Sequence, residues 1–241
     1  MSSNPLTGHA SFADFSDDPR AWTGAQLHES QWRMPVPDDC LEELDAALSH
    51  LRRHPEPMLL TTPEAYGLAH TADFVAKARG RLDNGSGVVL MDRFPVEAWS
   101  RDEARQVFWL IGSLVGRPVV QTFDGKIMVE VTDTGVKKTI GVRGFRTNAG
   151  QNPHVDNSFN HAPPDYVSLL SLSQARRGGV SRFISFCTVH DRLRRESPDL
   201  LARLYEPFYQ DRQGDFWPDE PQTVRYPVFS QEPVSYTHLT L

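Results

Sequence analysis

Long apolar runs are missing from this chain. No stretch of its 241 residues approaches the ~18 apolar residues of a membrane span, and no membrane partner is expected. Residues 1–30 are polar and acidic and lack the apolar centre of a secretory leader, so none is expected there. Cysteine is scarce. Cys40 and Cys187 lie far apart without CxxC spacing, which excludes a disulfide framework and a zinc knuckle and fits a reducing cytoplasm. An excess of positive charge is also lacking: the net charge of −6 argues against a nucleic-acid surface. A local basic cluster (Arg176, Arg177, Arg182, Arg192, Arg194, Arg195) is interleaved with Asp191, Glu196 and Asp199, as in a solvated face. No Walker loop, dinucleotide fingerprint or HExxH is present. Gly179-Val180-Ser181-Arg182-Phe183 lacks the second glycine of a nucleophile elbow.

What remains is an ordinary globular composition, 39% hydrophobic and 23% charged, in a length that suits one large domain or two small ones. Residues 1–36 read as an irregular arm docked through Phe12, Phe15, Trp22 and Trp32. Leu41, Leu44, Leu48 and Leu51 form one stripe of a helix over 38–54, which Pro55 and Pro57 stop. A second helix is expected over 63–81. A buried strand is expected at Gly87–Asp92, then a helix opened by the capping box Ser100–Glu103 and closed by Gly116 and Pro118. Strand patterns follow at Val119–Phe123, Lys126–Thr132, Thr139–Arg146, Tyr166–Ser173 and Ser181–Val189. One more helix is expected at 198–206, with Ser197 as its cap and Pro198 in its first position. Residues 207–233 are proline-rich with little regular signal. Helices first and many short strands after them point to an α+β fold with a sandwich or barrel core.

The chemistry concentrates in Asn152-Pro153-His154-Val155-Asp156-Asn157-Ser158-Phe159. Pro153 pushes Asn152 toward extended backbone. Side chains at i and i+2 of a strand share a face. His154 and Asp156 then converge, as two-thirds of a facial 2-His-1-carboxylate metal site. The bland alternative is a polar strand end in which Asp156 and Asn157 form a turn. A second match, His54-Pro55-Glu56, falls beside prolines at a helix end and reads as a surface accident. His161 reads as a solvated loop residue. His190, beside Asp191, reads as a structural hydrogen-bonding group. Ser181, after the Gly178-Gly179 turn, is placed to donate to a bound carboxylate; by itself it is more often a turn hydroxyl.

Residues 153–189 combine an HxDNSF motif, the strand PPDYVSLLSL, a GG turn and an SRFISF strand leading to VHDRL. That order resembles the Fe(II)/2-oxoglutarate-dependent oxygenases of the taurine dioxygenase-like (TauD/TfdA) family. The likeness extends upstream through GVVLMDRFP and RDEARQVFWLIGSLVGRP and onward into SPDLLARLYEPF. It implies a double-stranded β-helix (jelly-roll) core with flanking helices. It also implies that His154 and Asp156 are iron ligands and that Ser181 lies near the 2-oxoglutarate carboxylate. Asn148, Asn152 and Asn157 are implied around the mouth, towards substrate or the ligands. The implied reaction oxidises a small organic substrate by hydroxylation, with 2-oxoglutarate leaving as succinate and CO₂.

The family also uses a distal histidine and an arginine on late barrel strands. After Asp156 the histidines are His161, His190 and His238; the first two lie too near the motif for that role. Residues 234–241 do not resemble the family and read as a non-native tail, so neither His238 nor Arg225 is assigned. The organisation expected is an arm with helices over 1–82, an incomplete jelly roll over 83–233 lacking its late strands, and that tail. Weak iron binding without turnover of 2-oxoglutarate is expected of such a chain. The rival reading is a non-catalytic jelly-roll binding module; a zinc hydrolase ranks below it, for want of a third ligand and a general base. Lys137, Lys138, Arg143 and Arg146 read either as an anion-facing cluster or as edge charges that deter aggregation.

Overall fold

The computed structural model describes residues 12–122, 124–139, 142–159, 163–214 and 216–230. The architecture is α+β, in two compact units. One comprises Gly24–Val119 and Asp165–Phe183; the other comprises Met1–Thr23, Val120–Pro164 and Ile184–Leu241. His161, His238 and the 234–241 tail lie outside the described residues.

The first unit begins with a short helix α1 (Glu29–Trp32) and strand β1 (Arg33–Pro35), followed by α2 (Asp38–Arg53). Asp38 and Asp39 in the first turn of α2 and Arg52 and Arg53 in the last complement the helix dipole. The helix ends at His54, where Pro55 disfavours helical backbone in the residue before it. Of the expected stripe, Leu44, Leu48 and Leu51 are buried, joined by Cys40 and Ala47, while Leu41 is half-buried.

The second expected helix divides. Pro63–Tyr66 forms a single 3-10 turn, Gly67 turns the chain at φ 63°, and α3 runs from Ala69 to Asn84. That positive φ is accessible to glycine at little cost. No side chain of its own caps α3. Glu43 of α2 does so instead, accepting from His70 N (2.9 Å), Thr71 N (2.8 Å) and Thr71 Oγ1 (2.8 Å). Burial pushes the Glu43 carboxyl up, but these donors outweigh it and hold the group below the usual range.

Strand β2 (Leu90–Asp92) runs parallel to β1, with Met34 opposite Met91, so only the end of the expected 87–92 strand finds a partner. Helix α4 (Arg101–Val115) starts with both bonds of the predicted capping box, Ser100 N to Glu103 Oε2 (2.7 Å) and Glu103 N to Ser100 Oγ (3.2 Å). Leu44 and Leu48 of α2, Phe74 and Val75 of α3, and Val107 and Leu110 of α4 share one core. Each such side chain contributes about 1.5–3 kcal/mol on burial. The later segment of this unit is tied down at Tyr166, whose hydroxyl donates to the Asp83 carboxylate and whose ring lies 5.7 Å from the Arg79 guanidinium.

The second unit contains α5 (Phe186–Glu196), α6 (Pro198–Leu204) and the antiparallel hairpin β3 (Phe208–Asp211) and β4 (Thr223–Tyr226). Ser197 stands at the N-cap of α6 without a side-chain capping bond, and Pro198 fills the first position. The arm docks on α5. Phe15 N donates to Asp191 Oδ1 (3.0 Å), Thr188 Oγ1 to Trp22 O (2.9 Å), and Arg194 pairs with Asp14 at 2.8 Å. Phe12 stacks on Tyr205 at 5.4 Å and Phe15 meets His190 edge-on at 5.0 Å.

Three expectations are corrected. The described residues form two two-stranded sheets and no closed barrel. Val119–Phe123, Lys126–Thr132, Thr139–Arg146 and Tyr166–Ser173 hold no ladder among their described residues, although single bonds such as Thr132 N to Phe145 O (2.9 Å) join parts of them. Alternation marks a segment able to pair, whereas pairing needs a partner brought from far along the chain. The Ser181–Val189 strand gives way to α5 from Phe186 onward. Ser185 caps that helix by accepting from Thr188 N (3.1 Å), and Cys187, His190 and Asp191 are its buried residues, a helical spacing. Residues 207–233, expected to be irregular, contain the β3–β4 hairpin.

Candidate metal centre

His154 and Asp156 lie in the second unit, on an extended stretch leading into a turn over residues 156–159. His154 Nδ1 is 2.7 Å from Asn152 O. A carbonyl can only accept, so Nδ1 carries a hydrogen, and in the neutral ring Nε2 then presents a lone pair. That lone pair faces the carboxylate: Nε2 is 3.4 Å from Asp156 Oδ1. Two ligands each about 2.1 Å from one ion lie about 3.0 Å apart at a right angle and about 3.4 Å apart at a tetrahedral one. The spacing therefore suits two positions on one ion. A backbone carbonyl behind the imidazole is the usual way a ligating histidine is oriented. Both side chains are half-exposed, 50% and 55%, so an ion has access without rearrangement of the core.

The neighbouring asparagines serve this loop in different ways. Asn148 Nδ2 donates to Asp133 Oδ2 at 3.0 Å, tying the approach to the motif to an earlier segment. Asn152 contributes its backbone carbonyl to His154. Asn157 adopts φ 55°, a left-handed conformation that asparagine tolerates better than most residues. Ser181 belongs to the other unit, in an exposed segment after Gly178 and Gly179, which have φ of 76° and 72°. Asp133 and Gln210, the latter in contact with Ser158, went unnoticed in the sequence because neither belongs to a motif. Only their contacts mark them.

Elsewhere the histidines do other work. His190 is fully buried in α5, with Nε2 2.8 Å from the Tyr205 hydroxyl, which is the structural hydrogen bond expected, though on a helix and not at a strand end. His54 caps the end of α2, and the nearby Glu56 carboxylate accepts from Tyr66 Oη at 3.2 Å. Among the described residues no group of three or more His, Cys, Asp or Glu side chains is arranged to hold a metal. Among them, too, no helix is long and apolar enough to cross a membrane.

The pair therefore sets an imidazole and a carboxylate side by side on one exposed turn of an α+β chain. The sequence model of the "Taurine catabolism dioxygenase TauD, TfdA family" matches residues 63–239, and the chain belongs to that family. It is 28% identical over 213 residues to the FR-33289 synthase of Streptomyces rubellomurinus, covering 86% of this chain and 60% of that protein. It is 24% identical over 221 residues to the taurine hydroxylase-like protein SAT17 of Stachybotrys chartarum, covering 90% of this chain and 56% of that protein. The chain thus spans somewhat more than half the length of these relatives.

Proposed function

We propose that this chain carries the proximal half of the iron site of an Fe(II)- and 2-oxoglutarate-dependent oxygenase that hydroxylates a small organic substrate. The observation that supports it best is the His154–Asp156 pair. One nitrogen of the imidazole is committed to a backbone carbonyl, and the other is turned to a carboxylate at 3.4 Å. Family membership and the hydroxylase-like name of one relative support the reaction class.

His154 Nε2 and Asp156 Oδ1 would bind the metal, and a third ligand is not among the described residues. Dioxygen would be the oxidant, with 2-oxoglutarate as its co-substrate. When bound, iron and 2-oxoglutarate supply the oxidation of a C–H bond, with succinate and CO₂ released from the co-substrate. The protein's own part is positional. Asn152 O holds the His154 ring, and Asp156 brings negative charge that favours a divalent cation. Asn148 and Asn157 shape the loop beside the pair.

The test is a titration of the chain with Co(II), a spectroscopic substitute for Fe(II), followed by its visible absorption. The parent chain is expected to bind and His154→Ala is not. In a longer protein that carries the remaining ligands, His154→Ala is expected to abolish iron-dependent decarboxylation of 2-oxoglutarate. Undiminished turnover in that variant would remove His154 from the site.

A further inference from the structure

His154 is steadied from its N-terminal side by its own bond to Asn152 O. Asp156 receives its constraint from the opposite direction. The turn that follows it passes through Asn157 and ends at Phe159, which is buried, with the Arg143 guanidinium 5.8 Å from the ring centroid. Between these, Ser158 Oγ donates to Gln210 Oε1 at 3.4 Å, and Gln210 Nε2 donates to Tyr226 O at 3.3 Å. Gln210 sits on β3 opposite Val224 and is half-buried on the same face as Phe208. One amide thus joins the turn to the hairpin, engaging an acceptor on one side and a donor on the other. Both bonds are long and individually weak, so their loss costs the fold little. A metal ligand, in contrast, must be held within about 0.5 Å of its working position.

We propose that Ser158 and Gln210 are positioning residues for the Asp156 carboxylate, setting metal affinity by fixing the turn against the β3–β4 hairpin. This rests on the reading of His154 and Asp156 as metal ligands. The Ser158–Gln210 bond limits rotation of the turn about Asn157. Without it, the Asp156 carboxylate samples positions away from His154 Nε2, and the two donors meet one ion less often.

Co(II) titration with a visible-absorption readout, paired with thermal unfolding of the same samples, tests this. Ser158→Ala and Gln210→Leu are each expected to weaken Co(II) binding by about tenfold, the low end of what residues behind metal ligands contribute. Their unfolding midpoints should stay at that of the parent chain. Ser158→Thr retains the hydroxyl and should retain affinity. The double variant should bind no more weakly than either single one, because both remove the same bond. Parent-like affinity in Ser158→Ala and Gln210→Leu would overturn the proposal, as would Ser158→Thr binding as poorly as Ser158→Ala. An affinity loss that merely tracks a lowered midpoint would overturn it too. A parent chain that does not bind Co(II), or a His154→Ala variant that binds it equally well, defeats the metal reading itself and this inference with it.

Discussion

The ring of His190 and the hydroxyl of Tyr205 meet at 2.8 Å, with Phe12, Phe15 and Phe229 against the imidazole. The other ring nitrogen, Nδ1, faces Asp191 at 3.8 Å, beyond hydrogen-bond reach. Arg194 approaches the same carboxylate at 3.5 Å while pairing with Asp14 of the arm. A histidine thus lies under the point where the N-terminal arm crosses α5.

Burial holds the His190 pKa below its ordinary value; Asp191 opposes that shift and Arg194 reinforces it. The folded chain therefore favours neutral His190. Stability from this group is full above the unfolded-state pKa of about 6.5 and declines as pH falls from there towards the lowered folded value. Thermal midpoints measured from pH 7.5 to 5 should fall in the parent chain. His190→Leu should flatten that slope whatever its effect on the absolute midpoint. An unchanged slope would assign the acid sensitivity elsewhere. The lowered carboxylates Asp14, Asp18, Glu43, Glu103, Asp124 and Glu220 act below about pH 4.5 and do not confound this window.

Cys187 lies on the same helix, buried, and its thiol is pushed up to about 11, chiefly by desolvation. At pH 8 only about one thiol in a thousand is then ionised. Ellman's reagent should leave Cys187 unmodified in the folded chain and label it rapidly in denaturant. Cys40, buried in the other unit, should behave alike. Fast labelling of Cys187 in the native chain would show that the arm leaves α5 readily.

Glu43→Ala should destabilise the chain by about 1–3 kcal/mol in urea unfolding, because three donors at the start of α3 lose their acceptor together. Its neighbour Glu42 is exposed, and Glu42→Ala should change stability by less than about 0.5 kcal/mol. Equal effects at the two positions would deny Glu43 its capping role.

Two leucines of identical chemistry should respond very differently. Leu44 is 0% exposed in the three-helix core, and Leu44→Ala should cost about 2–5 kcal/mol. Leu169 is 77% exposed, and Leu169→Ala should fall within about 0.5 kcal/mol of the parent. Denaturant midpoints of the two variants settle the contrast.

Much of the helical unit was legible in advance. The leucine stripe of α2, the stop at Pro55 and the Ser100–Glu103 capping box are local signals, written within one or two turns of helix. The His154–Asp156 pair was legible for the same reason, since a two-residue spacing on extended backbone brings side chains together without help from the rest of the fold. The α5 helix was misread. Its buried face is built partly from Cys187, His190 and Asp191, and the last two do not register as an apolar stripe. The β3–β4 hairpin was missed because prolines and charges obscure its alternation.

The helices of the first unit and the two candidate ligands were written locally, in residues near one another in the chain, and the family in the order of motifs along it. Tertiary structure alone decided that Glu43 caps a helix 27 residues away, that the arm closes over His190, and that Gln210 reaches the turn behind Asp156 from 52 residues downstream. It also decided which extended segments pair and which do not. A hydrogen bond between distant residues depends on the path of the chain between them, and no local pattern encodes that path.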